Sequence, residues 1–276
     1  MSKADLVFID NCKRILNEGY LEASDDVRAR WDDGEPARTK RVFGICNRYD
    51  LSEEFPILTL RRTAFKNAVD EILWIWQKKS NNVNELSSHI WDSWADQEGS
   101  IGKAYGYQLA QKSVYKEGLF DQVDRVIHEL KNNPGSRRIV TSMYNFEDLH
   151  AMALYPCAYS MTFNVVGNKL NGILNQRSQD MLVANGWNIV QYAALLHMFA
   201  HTANLEVGEL VHVIADAHIY DRHIPMVEAL IERETFSAPK MSFSPEHRDF
   251  YRYKVEDFVI SDYQHGAKMT KIPVAV

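Results

Sequence analysis

A lone cysteine among cationic segments is the first feature of the sequence that could do chemistry. Cys157 follows a proline in M-A-L-Y-P-C-A-Y. On residue type alone, a free cysteine is more often a small buried hydrophobic side chain than a nucleophile. Arginines stand nearby in two segments, R-R at 137–138 and Q-R-S-Q-D at 176–180. Guanidinium groups can converge on one anion and favour the reactive thiolate, so we expect a cysteine nucleophile beside an anion site.

Two other classes of function fit the same side chain types. Cys157 could form a cysteine-hydrolase set with His218 and Asp216. Such sets are recognised by geometry, which a sequence does not supply. A nucleotide-binding module without catalysis would also use the arginines.

The helices that must position these residues are predicted from apolar positions that repeat every three or four residues. Glu71 lies beside the apolar stripe formed by Val69, Ile72, Leu73 and Trp76. Residues 24–40 are polar and are predicted to form a long loop. Helices are predicted at residues 5–18, 69–76, 121–131, 188–204 and 224–234.

The predicted strands are short β-rich stretches, and two of them are joined by the hairpin signal Gly167-Asn168. Long helices between hairpins, without regular βαβ alternation, predict an α+β or mixed α/β fold. We expect one domain over 1–276, with a large mixed, twisted sheet flanked by helices. Strands are predicted at residues 41–49, 139–144, 159–166, 169–177, 209–216, 240–244 and 257–263.

Charge and cysteine content narrow the classes of function. The formal net charge is −6 over 276 residues, whereas nucleic-acid and anionic-membrane binding are built on excess Lys and Arg. Cys12, Cys46 and Cys157 show no CxxC spacing, so neither a disulfide framework nor a metal site is predicted. No signal-peptide pattern or apolar run long enough for a transmembrane helix occurs. We therefore expect a cytoplasmic protein without DNA or membrane partners.

From about Phe43 onward the sequence resembles the thymidylate synthase family. One segment alone would carry no weight, but many occur in the family's order. The matching segments are F-G, F-P-I-L-T-L-R-R, E-I-L-W, H-I-W-D-S-W-A-D, A-Y-G-Y-Q, S-R-R-I-V, M-A-L-Y-P-C, Q-R-S-Q-D, W-N-I-V-Q-Y, D-A-H-I-Y and P-V-A-V.

The resemblance implies a folate-dependent methyltransferase that makes dTMP from dUMP. In this chemistry Cys157 adds to C6 of the uracil, and C5 then attacks the methylene of 5,10-methylenetetrahydrofolate. Loss of the C5 proton and hydride transfer from the folate give dTMP and dihydrofolate. Glu71 corresponds to the acid that relays protons through water, and Tyr105 to a tyrosine near the C5 proton. Apolar neighbours should raise the pKa of Glu71.

For dUMP, the resemblance implies that Arg177 and Ser178 bind the phosphate and that Asn188 reads the uracil. The amide of Asn188 can donate to O4 and accept from N3–H, a pattern that cytosine reverses. An N-terminal arginine, Arg28 or Arg38, completes the phosphate site, and Arg28 is preferred. The remaining expected dUMP contacts are Arg137 and Arg138 from a partner subunit, Gln176, Asp180, His218 and Tyr220.

For the folate, Trp91 and Trp94 offer flat aromatic surfaces, and Asp180 can accept a hydrogen bond from the pterin. Arg61 matches a basic residue that can meet the glutamate tail. The end of the chain, with Ala275 and Val276, resembles a tail that closes over the site. A flexible loop at about 22–40, a closing tail at 273–276, a homodimer and no metal complete the expectations.

The sequence departs from the family pattern at several positions. Ala158 stands where a histidine commonly follows the nucleophile, Tyr144 replaces a common tryptophan, and V-A-N-G-W-N occupies 183–188. The nearest alternative is a dUMP hydroxymethylase, which uses the same nucleophile and folate. In that enzyme water, rather than a hydride, reacts with the exocyclic methylene intermediate. Trp91, Leu154 and the tail favour the reductive route, because those positions would shield the intermediate from water.

Overall fold

A single six-stranded mixed sheet organises the chain in a computed structural model that describes residues 1–275. Its strand order is β1-β2-β8-β7-β6-β5, and only β7 and β8 run parallel. Two further pairs, β3 with β4 and β9 with β10, form small separate hairpin-like sheets. The strands are β1 (Tyr20–Leu21), β2 (Thr39–Asp50), β3 (Ser113–Tyr115), β4 (Gly118–Phe120), β5 (Ile139–Ser142), β6 (Ala158–Val166), β7 (Lys169–Asp180), β8 (Glu206–Tyr220), β9 (Lys240–Phe243) and β10 (Phe258–Ser261).

Helices cover one face of the sheet. The long apolar helix α5 connects parallel strands β7 and β8 and packs on both, while α2 packs on α5. Asp121 caps α4 by accepting a hydrogen bond from the backbone N–H of Asp124. The helices are α1 (Lys3–Glu18), α2 (Phe65–Trp76), α3 (Gly106–Leu109), α4 (Gln122–Asn132), α5 (Asn185–Ala203) and α6 (Ile224–Ile231).

The core lies between this helical layer and the inner face of the sheet. Trp76 meets Phe163 and Phe199 edge-on, with ring centroids 6.4 and 5.9 Å apart. Alternate residues of the same strands face outward, and Val140 and Ile173 remain 53% and 39% exposed there. The sheet therefore has one buried face and one largely uncovered face in the single chain.

The predicted mixed fold is confirmed, and so are the principal helices and strands. The structure differs at the ends of elements near the parallel pair. Helix α5 begins at Asn185 rather than at 188, and β8 runs through D-A-H-I-Y to Tyr220. Hydrogen bonding to β2 and β7 on both sides keeps β8 extended past the polar residues that suggested a strand end. Within residues 1–275 no helix has the length and apolar character needed to cross a membrane.

Candidate active site

A cavity of about 410 Å³ opens beside the start of α5. Parallel strands β7 and β8 carry residues of the adjoining wall at their carboxyl ends, where ligands of open α/β sheets commonly bind. The C-terminal segment contributes Lys268 and Met269 to the lining. Seven residues predicted from the sequence line the cavity together: Arg61, Glu71, Trp91, Trp94, Tyr105, Cys157 and Asn188.

Cys157 is held in this cavity by backbone contacts on two sides. The backbone N–H of Arg177 donates to the Cys157 carbonyl at 3.0 Å, and the Cys157 N–H donates to the Tyr105 hydroxyl at 3.1 Å. The register of β6 against β7 shifts between Ala158 and Ser160, directly after the cysteine. Such irregularities re-aim side chains and are common beside active sites.

Arg177 also contacts the sulfur of Cys157. Its Nη2 lies 3.8 Å from Cys157 Sγ, while the guanidinium donates to the carbonyls of Tyr155 and Pro156 at 2.6 and 3.1 Å. Burial raises the pKa of the Cys157 thiol, whereas the charge of Arg177, the Tyr105 hydroxyl and Arg28 lower it. The expected thiolate-stabilising guanidinium is therefore present, but burial outweighs it in this structure.

Tyr105 has an unusual backbone conformation beside the cysteine. Its φ of 46° lies in a region that side chains other than glycine rarely adopt. Backbone strain of this kind typically amounts to about 1–3 kcal/mol and clusters at functional sites. The buried ring packs edge-on against Trp91, with centroids 5.2 Å apart. Its hydroxyl is thereby directed at the Cys157 backbone.

Glu71 is the carboxyl group of the cavity. It lies on the buried face of α2, and the indole N–H of Trp187 donates to its Oε2 at 2.9 Å. Burial raises the pKa of Glu71 to about 7, although the polar groups of Gln191, Trp187 and Trp91 oppose the rise. The expected rise in pKa is present, and a group with this pKa can both give and take a proton near neutral pH.

Asn188 projects from the first turn of α5, three residues inside the helix rather than at its cap. Gln176 Nε2 donates to its Oδ1 at 3.4 Å, and its Nδ2 donates to Gln191 Oε1 at 3.0 Å. Each polar atom of the amide therefore has one protein partner. One lone pair and one N–H remain for a ligand.

A polar wall formed by β7 and β8 adjoins the cavity. Strand register pairs Ser178 with Asp216 and Asp180 with His218. His218 Nδ1 contacts Asp216 Oδ1 at 2.8 Å, and its ring meets that of Tyr220 edge-on. Burial raises the pKa of Tyr220 to about 12, so its hydroxyl stays protonated.

Asp180 is already engaged by the backbone. Its Oδ1 accepts hydrogen bonds from the N–H groups of Leu182 and Val183 at 2.9 and 3.0 Å. This turn leads into α5 and explains why that helix begins before residue 188. Only the second carboxylate oxygen is left to meet a ligand.

The two candidate loop arginines differ in their contacts. Arg38 donates to the Asp25 carboxylate. The exposed Arg28 has no ion pair in the described part of the chain, and its positive charge lowers the pKa values of Cys157 and Tyr220. Arg28 is therefore close enough to Cys157 and Tyr220 to act on both electrostatically, and its assignment to the phosphate site stays a prediction.

The structure does not bring Arg137 and Arg138 to the cavity of the same chain. Both are exposed immediately before β5. Ile139 pairs with Phe163, which is six residues beyond Cys157 along β6. At about 3.3 Å per residue this separation is roughly 20 Å, too far for an arginine side chain to span.

The predicted folate residues are distributed around the cavity. Trp91 and Trp94 form an edge-to-face pair, with centroids 5.8 Å apart. Arg61 donates to the carbonyl of Leu182, and burial lowers its pKa. Ala275 is partly buried but is not among the lining residues, and Val276 lies outside the described residues.

Sequence reasoning missed several residues of the site. Trp187 and Gln191 were not identified, although Gln191 lies three residues after Asn188 on the same helical face. Lys268 and Met269 carried no local signal, because only the fold brings their segment to the cavity. No group of three or more His, Cys, Asp or Glu side chains arranged to hold a metal ion occurs in residues 1–275.

The cysteine-hydrolase interpretation has no geometric support. Among the described residues, the hydrogen-bonding side chain at Cys157 Sγ is Arg177, and no hydrogen bond joins His218 to the sulfur. A general base must lie within hydrogen-bond reach of the nucleophile it activates.

Comparison with known proteins gives one consistent result. A family model described as thymidylate synthase matches residues 6–276. The thymidylate synthase of Bacillus phage phi3T is 44% identical over 274 residues, covering 98% of each chain, and thymidylate synthase 1 of Bacillus subtilis (strain 168) is 43% identical with the same coverage. The solved structure of thermostable thymidylate synthase A from Bacillus subtilis superposes with a TM-score of 0.94 at 42% identity, covering both chains completely. These relatives give no support to the hydroxymethylase alternative.

Proposed function

Since this chain belongs to the thymidylate synthase family and is a methyltransferase of dTMP biosynthesis, we propose that Cys157 is the nucleophile that adds to C6 of dUMP. The prediction of this activity from the sequence motifs is confirmed by the relatives. The single observation that carries the residue assignment is the convergence of Cys157, Glu71, Tyr105 and Asn188 on one cavity. A thiol, a near-neutral acid and a base-reading amide are the groups that addition to a uracil ring requires.

Cys157 acts by forming a bond to C6, which the conjugated C4 carbonyl makes electrophilic. Covalent addition divides one difficult substitution into easier steps. Arg177 supports the thiolate through its Nη2, 3.8 Å from the sulfur, and a bound phosphate would occupy its remaining donors. The charges of Arg177 and Arg28 oppose the effect of burial on the pKa of the thiol and so favour the thiolate.

Glu71 and Tyr105 handle protons on either side of the ring. A carboxyl group whose pKa lies at about 7 can protonate O4 as C6 is attacked and release that proton later. The Tyr105 hydroxyl, which accepts from the Cys157 N–H, fixes the cysteine backbone and lies beside the reacting edge of the pyrimidine. Arg177 and Asn188 complete the catalytic set.

In this proposal, different residues bind the uracil and the sugar-phosphate part of dUMP. Asn188 pairs with O4 and N3–H of uracil through its unused N–H and lone pair. Gln176 supports that amide, and Arg28, Arg177 and Ser178 bind the phosphate. His218 and Tyr220 hold the deoxyribose 3′-hydroxyl, with His218 oriented by Asp216.

The family uses 5,10-methylenetetrahydrofolate as co-substrate. When bound, it supplies the one-carbon unit and the hydride. The cavity fits such a molecule, because Trp91 and Trp94 offer apolar ring surface and Arg61 lies on the cavity wall. Asp180 can accept from the pterin through its free oxygen, and the tail with Ala275 and Val276 excludes water on closing. No metal is assigned a role.

A homodimer completes the site in this proposal. Arg137 and Arg138 lie roughly 20 Å along β6 from the cysteine of their own chain and are exposed. The uncovered sheet face, with Val140 and Ile173, offers an apolar surface for a second copy. Packing of two such faces would carry both arginines toward the partner's phosphate site. One thymidylate synthase domain over 1–276, with a flexible loop at 22–40 and a closing tail at 273–276, and a cytoplasmic location belong to the same proposal.

The test is turnover of dUMP with methylenetetrahydrofolate by the wild-type protein and by Cys157→Ser. We expect equimolar dTMP and dihydrofolate from the wild type and a loss of at least about 10³-fold for the variant. Cys46→Ser, at an exposed cysteine outside the cavity, is the matched control and should retain activity. Normal turnover by Cys157→Ser would refute the nucleophile assignment. Release of tetrahydrofolate with hydroxymethyl-dUMP would refute the reductive outcome.

A further inference from the structure

A chain of buried polar side chains leads away from Asn188 into the core. His212, on the inner face of β8, contacts Gln176 Oε1 through Nε2 at 2.5 Å. Gln176 Nε2 donates to Asn188 Oδ1, and Asn188 Nδ2 donates to Gln191 Oε1. His212 is completely buried, and it pairs in register with Leu174, two residues before Gln176. This series of hydrogen-bonded side chains therefore runs from the centre of the sheet to the start of α5.

His212 sets the direction of every hydrogen bond in this series of buried side chains. Gln176 Oε1 can only accept, so His212 must carry its proton on Nε2. Asn47, the partner of His212 on β2, points to the same tautomer. Its Nδ2 donor and His212 Nδ1 both lack a hydrogen-bond partner in residues 1–275, and a lone pair on Nδ1 avoids burying a second unpaired donor beside this strand. Burial lowers the pKa of His212 to about 3, which keeps the ring neutral.

The position of the His212 proton also determines the orientation of the Asn188 amide, which is proposed to read the base. With Gln176 Oε1 turned to His212, its NH₂ group is turned to Asn188 Oδ1. Asn188 then faces the pyrimidine with an acceptor for N3–H and a donor for O4, which is the uracil pattern. A reversed amide would present the complement of cytosine. We propose that His212 is a positioning residue that selects uracil by fixing the amide orientations of Gln176 and Asn188.

The inference rests on the proposed role of Asn188 and extends it to a residue that does not line the cavity. The alternative is that His212 is simply a core side chain. His197 offers the comparison, because burial lowers its pKa to about 4 and its Nε2 has no partner among the described residues. His197 lies on α5 outside the polar chain, so a change there removes a buried histidine without touching base selection.

The test compares His212→Phe, which keeps an aromatic ring but lacks the donor, with His212→Gln, whose amide N–H reaches the position of Nε2. His197→Phe is the matched control. The readouts are the KM for dUMP, the inhibition constant of dCMP as a competitor, and the melting temperature. We expect His212→Phe to reduce discrimination between dUMP and dCMP by about tenfold or more, because a buried acceptor has lost its donor. His212→Gln should restore most of it, and His197→Phe should leave it unchanged.

Two outcomes would overturn the inference. One is a folded His212→Phe variant that discriminates between dUMP and dCMP as well as the wild type does. If that variant still converts dUMP to dTMP, the proposed function is unaffected. The other comes from ¹⁵N spectra of histidine-labelled wild-type protein, with the His212 signal assigned by its loss in His212→Gln. A neutral ring protonated on Nε2 is expected, and a proton on Nδ1 or a charged ring would contradict the argument even if His212→Phe failed to fold. Failure of the wild type to convert dUMP would instead contradict the proposed function.

Discussion

The protonation of Glu71 is coupled to folding as well as to its proposed catalytic role. Burial raises its pKa in the folded protein to about 7, from 4.5 for the free group. A carboxyl whose pKa is raised on folding favours the folded state when protonated. Its contribution is fully present below about pH 4.5 and is lost as the pH rises through about 7. The apolar surroundings that make Glu71 useful as an acid therefore also oppose its ionisation.

Glu71→Gln should accordingly separate stability from activity. At pH 8 we expect the variant to be more stable than the wild type by about 3 kcal/mol at most, because no charge is buried. This advantage should disappear near pH 4. Turnover should fall by about 10²–10⁴-fold, since the amide cannot transfer the proton.

The measurements are chemical denaturation at several pH values and the rate of dTMP formation. Glu228→Gln, a change at an exposed acid of α6 outside the cavity, is the control and should show neither effect. A pH-independent stability difference for Glu71→Gln would contradict the raised pKa.

At the residue scale, the motifs predicted several side chains of the cavity but not their environment. Cys157, Glu71, Tyr105 and Asn188 were identified from motifs, and the structure brings them to one cavity. Whether the pKa of the Cys157 thiol is raised or lowered could not be predicted from the sequence. It depends on the effect of burial on the thiol relative to that of the Arg177 charge. The position of Trp187 against Glu71 likewise needs the packing angle of α5 on α2.

At the scale of elements, the parallel pair β7 and β8 with its connecting helix positions most of the predicted nucleotide site. Periodicity predicted all three elements, since their apolar residues repeat clearly. Their ends were missed because polar residues of the predicted site interrupt the apolar pattern. Asp180, His218 and Tyr220 look like loop residues in sequence, yet the first two pair in register inside the sheet and Tyr220 pairs with Thr39 of β2.

The C-terminal segment is another element, and the sequence could not predict its contacts. His223 Nε2 contacts the carbonyl oxygen of Pro273 at 2.8 Å, and its ring meets Trp31 and Tyr220 edge-on. Trp31 itself belongs to the loop that carries Arg28, and its indole N–H donates to Asp221. The loop and the first residue of the C-terminal tail therefore meet at one histidine.

Removing this hydrogen bond should weaken folate binding more than nucleotide binding. For His223→Phe we expect the KM for methylenetetrahydrofolate to rise by roughly fivefold or more, because a hydrogen bond that orders the tail is lost. The KM for dUMP should change less than twofold. Steady-state kinetics with each substrate varied separately measures both.

His201→Phe is the matched control, since His201 also bonds backbone carbonyls, those of Pro245 and His247, but lies away from the cavity. Equal effects of the two variants on the folate KM would show that the loss is one of general stability. That result would contradict a role for the tail in folate binding.

At the scale of the whole molecule, the single chain leaves two features unexplained by its own contacts. One sheet face keeps Val140 and Ile173 exposed, and two adjacent arginines precede β5 without reaching the cavity. The proposed two-fold dimer would account for both, because the same surface would serve each copy. Periodicity alone could not predict this arrangement, since it reports on the elements of one chain.

Mixing two inactive variants tests whether the site is shared. Cys157→Ser and the double variant Arg137→Ala with Arg138→Ala should each lose most activity as homodimers. After equimolar dissociation and reassociation, half of the dimers pair one variant with the other, and one of their two sites is intact. We expect activity to recover to about one quarter of the wild-type value.

Recovery is followed by dihydrofolate absorbance, and the unmixed variants taken through the same treatment serve as controls. Absence of recovery, with hybrid dimers demonstrated by native mass spectrometry, would contradict donation of the arginines across the interface. Sedimentation of the wild type as a monomer would do the same.

The central claim, covalent attack by Cys157 on C6 of the pyrimidine, is tested most directly by trapping the adduct. In 5-fluoro-dUMP a fluorine replaces the C5 proton, so the step that requires loss of that proton cannot proceed and the adduct accumulates. Intact-mass measurement with methylenetetrahydrofolate present should show one nucleotide and one folate added per chain, and peptide mapping should assign the modification to Cys157. Attachment to another residue, or an identical adduct on Cys157→Ser, would contradict the account.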